Sequence, residues 1–139
     1  MKVLYTDGSC SPNPGPGGYA VIHEGQPCAL GYEKLSTNIR MEGEALIAAL
    51  KYAQNEPCEI RTDSEFWINV ITKWSLSWEA NGWKKKTGQI SNLDLVQELC
   101  VLYKQSHAKL VWVRAHVGTD GNELADTWAN KARKDRLSL

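Results

Sequence analysis

Apolar residues recur along this chain in two rhythms, and the change between them divides it. Near the N-terminus the period is short. "KVLYTD" predicts a strand, and the glycine and proline cluster at 12–18 predicts a turn. "GYAVIHEGQPCALGYE" predicts two strands joined at Glu24-Gly25-Gln26. From residue 38 the period lengthens to that of a helix. Residues 38–54 predict a helix with Asn38 as N-cap and Pro57 beyond its far end. "CEIRTD" predicts a short strand, "SEFWINVITKW" a helix, and "LDLVQELCVLYKQ" a second amphipathic helix. Between those helices "SLSWEANGWKKKTGQISN" is polar, aromatic and basic, with glycines. "AKLVWVRAH" predicts a strand apolar on both faces, and "GNELADTWANKARK" the last helix. The order β-β-β-α-β-α-α-β-α fits an antiparallel meander followed by parallel strands with crossover helices. The expectation is an α/β fold with a mixed sheet and helices on both faces, which would explain why "LVWV" is apolar throughout.

Composition adds bounds rather than identity. The 139 residues predict one domain, 1–139, able to bury about 70% of its unfolded surface. Sixteen basic and sixteen acidic side chains cancel, so any electrostatic partner site must come from local clustering. Four of the six tryptophans fall between Trp67 and Trp83. Cys10, Cys28, Cys58 and Cys100 form no C-x-x-C pair. Without a signal peptide they read as free thiols in a reducing cytoplasm, and a zinc site is not expected. No apolar run approaches the roughly 20 residues that span a bilayer.

Four acids stand at positions where chemistry collects. Asp7 ends the first strand and Asp63 ends "CEIRTD"; ligand sites in open α/β sheets gather at the carboxyl ends of strands. Asp63 could equally cap the helix that follows Ser64. At 100° per residue, Glu42 falls within the apolar stripe of Ala45, Leu46, Ala49, Leu50 and Ala53, whereas Glu44 projects to the opposite side. An inward carboxylate needs a partner or a cation, and Arg40 or Arg61 could be that partner. Asp126 borders the stripe of the last helix, formed by Ala125, Trp128, Ala129 and Ala132. If strand tips and helix stripes converge, the carboxylates can all ionise only around positive charge, and oxygen-only donors point to hard divalent cations.

"YTDGSC…NPGPGGYA", "TNIRMEGEALIAAL", "IRTDSEF", "WSLSWEANGWKKK", "NLDL" and "VWVRAHVGTDGNELAD" occur in that order. Together, from about Val3 to Arg133, they closely resemble type 1 ribonuclease H, which cuts RNA paired to DNA. The resemblance implies a ribonuclease H-like fold: a five-stranded mixed sheet, three strands antiparallel and two parallel, with helices on both faces. It implies Asp7, Glu42, Asp63 and Asp126 as catalytic metal-binding carboxylates and His116 as an accessory catalytic group. Two Mg²⁺ ions, with Mn²⁺ possible, would activate a water, neutralise the phosphate and hold the leaving oxygen. Products would carry 5′-phosphate and 3′-hydroxyl ends. Glu123, one turn before Asp126, would sit near the second ion.

The resemblance also implies a substrate, an RNA–DNA hybrid cut without regard to sequence, with no obligate protein partner and a monomeric enzyme. Cys10, Asn13 and Asn38 would meet the hybrid's minor groove, where 2′-hydroxyls separate RNA from DNA. Asn13 could instead serve only as a turn former, and Asn38 only as a cap. Trp74 to Lys86 resembles the family's basic protrusion, with Trp78, Trp83, Lys84, Lys85 and Lys86 gripping the DNA strand through phosphates and aromatic faces. Trp74 is expected to pack in a helix core. Thr37 and Lys34 would help hold a DNA phosphate. Two residues depart from the family's pattern: Ile39 where a polar amide is usual, and Glu65 where glutamine or asparagine is common. Both are expected to weaken hybrid affinity. The alternative reading is a hybrid-binding module of the same fold with weak or no catalysis; such a relative would be expected to have lost an acid, and none is lost.

Overall fold

The computed structural model describes residues 1–85, 88–114 and 120–139. Its five strands are β1 (Lys2–Cys10), β2 (Gly15–His23), β3 (Gln26–Ser36), β4 (Cys58–Thr62) and β5 (Ala108–Trp112). They form one sheet in the order β3-β2-β1-β4-β5. β1, β2 and β3 pair antiparallel, and β1–β4 and β4–β5 pair parallel, as predicted. Glu24 and Gly25 both take positive φ, 53° and 77°, the backbone of a two-residue type I′ hairpin turn. Leu139 exchanges both backbone hydrogen bonds with Leu30, so the C-terminal residue lies along the edge of β3.

Helix α1 (Asn38–Ala53) packs on one face of the sheet, and α4 (Leu93–Gln105) packs on α1. Leu4, Val21, Leu46, Leu50, Ile60, Trp67, Val70, Val96 and Leu99 fill the core on that face. Helix α5 (Asp120–Asp135) covers β1, β2 and β3 through a smaller cluster of Ala20, Leu30, Ala129 and Ala132. Ala20 and Val21 are adjacent in β2 and serve opposite cores, as the period of two requires.

Several boundaries differ from the sequence reading. Gly15, Gly17 and Gly18 belong to β2 rather than to a turn. Their missing side chains admit neighbours instead: a Cβ on Gly18 would stand 2.5 Å from the Arg133 amide nitrogen in α5. The N-cap of α1 is Thr37, whose hydroxyl accepts from the Arg40 amide; Asn38 is already helical, and the helix ends at Ala53. The helix after β4 is longer than predicted. It runs as α2 (Glu65–Asn69), a π-helical turn (Val70–Trp74) and α3 (Ser75–Ala80), so the first part of the polar aromatic stretch is helical. β5 is an edge strand, and Trp112 is 48% exposed, so the apolar run there is not buried on both faces. Glu44 is half-buried beside Glu33 of β3, not fully exposed.

Candidate active site

The site is built where two paired strands part. β1 pairs with β4 only from Lys2 to Tyr5, yet it continues beside β2 to Cys10. Asp7 therefore lies inside β1, not at its end, just beyond the last residue matched by β4. Its carboxylate Oδ1 accepts from the Gly8 amide at 2.9 Å. Asp63 follows the last residue of β4. Glu42 reaches in from the first turns of α1. Gly8 makes that approach possible, because a Cβ there would collide with the Glu42 backbone nitrogen. Carboxylate oxygens of Asp7, Glu42 and Asp63 all lie within 4.8 Å of one another. Asp126, from α5, brings its carboxylate to hydrogen-bonding reach of Asp7.

Electrostatics show what this crowding costs. Burial, then the charges of Asp63 and Asp126, push the Asp7 carboxyl up to about 9. Burial and the Asp63 charge push Glu42 up to about 7, against the pull of the Ser64 hydroxyl. The arginines that might have neutralised Glu42 are engaged elsewhere. Arg40 forms a forked pair with Asp94, at 3.1 and 2.8 Å, and also bonds Asn92. Arg61 pairs with Glu59 and donates to the Tyr5 hydroxyl. Nor does Asp63 cap α2: the Ser64 hydroxyl does, accepting from the Trp67 amide. Carboxylate oxygens gathered this closely repel one another, and an oxygen-only donor set of this kind fits a divalent cation.

Beside this group the first loop is laced to α1. The Asn38 side-chain oxygen accepts from the Cys10 amide at 2.7 Å, and the Asn13 oxygen accepts from the Asn38 amide at 3.2 Å. The buried Cys10 thiol reaches the carbonyls of Pro12, Gly15 and Ser36, each at 3.3 Å. So the three residues singled out for the minor groove sit together. Thr37 is occupied as the helix cap. Trp67, fully buried, donates its indole N–H to the Ile39 carbonyl and ties α2 to α1.

Phe66, Trp74 and Trp78 form an aromatic ladder, the first pair T-shaped and the second tilted, with centroids 6.1 and 6.2 Å apart. Trp74 is 43% exposed, contrary to the core position predicted for it. Trp78 and Trp83 are half-buried and lean on the main core. Lys84 and Lys85 are exposed, and a backbone bridge joins Lys85 to Gly88. Lys86 and His116 lie outside the described residues. Glu123 is exposed on α5. The four cysteines are free, and no described helix is long and apolar enough to cross a membrane.

Two groups of residues escaped the sequence reading. Gly8 and Ser64 shape the acid cluster directly. Ser9, Asn130 and Arg133 form a hydrogen-bonded set against Asp126.

Comparison with known proteins follows the same lines. The RNase H family profile matches residues 1–134. A ribonuclease H of Polynucleobacter asymbioticus is 44% identical over 140 residues, covering 97% of this chain and 91% of that protein. A ribonuclease H of Methylorubrum extorquens is 39% identical over 140 residues, and there the chain spans 98% of its own length but 61% of the relative's. Among solved structures, LC9-RNase H1, described as a type 1 RNase H with the type 2 active-site motif, superposes with a TM-score of 0.86 at 28% identity. The match covers 99% of this chain and 74% of that one.

Proposed function

The chain belongs to the ribonuclease H family of hydrolytic endoribonucleases, and from that premise we propose that it cuts the RNA strand of RNA–DNA hybrids, independent of sequence, leaving 5′-phosphate and 3′-hydroxyl ends. The observation that carries the reading is the meeting of Asp7, Glu42 and Asp63 oxygens within 4.8 Å, with Asp126 against Asp7 and with Arg40 and Arg61 paired to Asp94 and Glu59.

Asp7, Glu42, Asp63 and Asp126 would hold two divalent cations, Mg²⁺ first among them and Mn²⁺ tolerated. Bound there, the cations would supply activation of the attacking water and neutralisation of the phosphate and departing ribose oxygen. The protein's own groups do the placing. The Gly8 amide fixes the Asp7 carboxylate, and the Ser64 hydroxyl steadies Glu42. With its side-chain oxygen committed to Cys10, Asn38 offers its NH₂ end as a donor to a 2′-hydroxyl in the minor groove. Cys10 and Asn13 brace that edge, and Thr37 stands beside it with Lys34 for a DNA phosphate. Trp78, Trp83, Lys84, Lys85 and Lys86 would hold the DNA strand by its sugars and phosphates. His116 would assist turnover as an accessory group. Residues 1–139 would act as one domain and as a monomer.

The decisive assay presents the protein with an RNA–DNA hybrid, double-stranded RNA and duplex DNA, with and without Mg²⁺. Cleavage confined to the RNA of the hybrid and dependent on Mg²⁺ is expected. Binding of the hybrid with no cleavage under any divalent cation would replace the enzyme with a binding module.

A further inference from the structure

Asp126 has neighbours that the acid cluster does not account for. One turn further along α5, the Asn130 side-chain nitrogen lies 3.0 Å from the Asp126 carbonyl and 3.4 Å from its carboxylate Oδ1. The Asn130 oxygen faces the other way. It accepts from the Ser9 hydroxyl at 2.6 Å and from the Arg133 guanidinium at 3.2 Å. Arg133 also donates through Nε to the Ser9 oxygen at 3.1 Å, closing a three-membered ring of partners.

Donor and acceptor roles in this ring are forced. A guanidinium can only donate, so the Asn130 atom facing Arg133 must be the amide oxygen. The Ser9 oxygen takes the Arg133 Nε–H as acceptor, which leaves its hydroxyl proton for Asn130. The amide cannot flip without setting donor against donor. Its NH₂ end is therefore held toward Asp126 as a neutral donor, shared between the backbone carbonyl at 3.0 Å and the carboxylate at 3.4 Å. Arg133 itself forms no ion pair among the described residues. Its charge sets the amide rather than neutralising the acid. Ser9 lies two residues after Asp7 on β1, so the ring also fixes Asp126 relative to Asp7 across the gap between strand and helix.

We infer that Asn130, locked by Ser9 and Arg133, is a positioning residue that orients Asp126 for a divalent cation without cancelling its charge. This rests on the proposal that Asp126 is a metal ligand. A direct Arg133–Asp126 pair would compete with a cation; an amide donor supplies direction at no such cost. Outer partners of this kind set a ligand's orientation and hence the metal affinity of the site.

The test measures Mn²⁺ binding by calorimetry without nucleic acid, together with the Mg²⁺ dependence of hybrid cleavage, in N130A, R133M and D126N. N130A and R133M should weaken Mn²⁺ binding about 10-fold and raise the half-saturating Mg²⁺ similarly. Turnover should recover at high metal, and KM for the hybrid should stay unchanged. S9A and R133M break the ring one step away and keep the test open should N130A fail to fold. Wild-type Mn²⁺ affinity in the folded variants, or a loss of cleavage that metal does not restore, overturns the inference. D126N separates the two levels. If D126N loses metal binding while N130A and R133M do not, Asp126 is a ligand and the ring is idle. If D126N itself binds and cleaves normally, the assignment of Asp126 falls first.

Discussion

Gly8 and Glu42 touch through their backbones: a Cβ on Gly8 would run into the Glu42 nitrogen and stand 2.5 Å from the Met41 carbonyl carbon. No flexible side chain can yield there, so the helix itself must move. Gly8→Ala should cost about 1–3 kcal/mol of folding stability, as overpacking does. It should also draw Glu42 away from Asp7 and weaken divalent-cation binding. Denaturant unfolding and Mn²⁺ titration check both effects. A variant as stable and as tight for Mn²⁺ as the wild type would show that the close approach does not set the site.

Removing an acid should separate activity from stability. Asp7→Asn, Glu42→Gln and Asp63→Asn each take away an oxygen proposed to hold a cation, and with it a carboxylate that repels its neighbours when ionised. Cleavage should fall on the order of 10³-fold, equivalent to several kcal/mol of transition-state stabilisation. The metal-free variants should nonetheless melt at or above the wild-type temperature at neutral pH. Near-normal turnover in any one of them removes that residue from the catalytic group.

How far the chain announced this site depends on what kind of signal each part carries. The strands, their order and the inward Glu42 follow from periodicity, because burying one face imposes it. Asp63 and Asp126 stand out through their places at a strand end and beside a helix stripe, whereas Asp7, which the glycine-rich stretch makes look like a strand end, lies inside β1. Gly8 does not, because a glycine placed for close packing looks like one placed for a turn; the same ambiguity hid Gly15–Gly18 in β2. Capping slid by one residue at both helices. Thr37 and Ser64 took the roles foreseen for Asn38 and Asp63, since neighbouring polar residues compete on equal propensity. Asn130 and Arg133 share a face with Asp126 at i+4 and i+7, and that spacing was a usable sign. Their partner Ser9 lies 121 residues from Asn130, and no local pattern reveals such a contact. The apolar character of Trp74 predicts burial, but the π-helical turn it ends leaves it 43% exposed.

The pH dependence of the metal-free protein follows from proton counts. Asp7 titrates near 3.8 when unfolded and near 9 when folded, and Glu42 shifts from 4.5 to about 7. Across those windows the folded state holds more protons than the unfolded one, so stability falls as pH rises. The metal-free melting temperature should drop from pH 5 to pH 8, with Asp7→Asn flattening the slope. Divalent cation should reverse the trend, and its stabilisation should be larger at pH 8. A metal-free profile that rises over this range would contradict the crowding of charge described for the cluster.

A second pair of acids gives an independent check away from the site. Burial, then the Glu33 charge and a hydrogen bond with Glu33, push the Glu44 carboxyl up to about 7. Arg40, nearby, is already forked onto Asp94. Glu44→Gln keeps the hydrogen bond and removes the repulsion. It should raise the melting temperature about 2–4 °C at pH 8 and by clearly less at pH 5, where the folded-state carboxyl is mostly protonated. Hybrid cleavage should be unaffected. Equal effects at both pH values would assign the gain to something other than charge.

The basic stretch can be isolated from catalysis through salt. Lys84 and Lys85 are exposed, and neither is paired with a carboxylate among the described residues. With Lys86 they would contribute up to three phosphate contacts, each adding about 0.9 to the slope of log affinity against log salt on B-form DNA. Replacing all three by alanine should weaken hybrid binding at low salt and flatten that slope by as much as about 2.7. Turnover at saturating hybrid should hold, because the proposed role of the lysines is to hold the DNA strand rather than the cations. Trp78→Ala and Trp83→Ala should weaken binding without changing the slope, since aromatic contact releases no counterions. An unchanged slope in the triple variant would mean that the lysines are solvated and the DNA strand is held elsewhere.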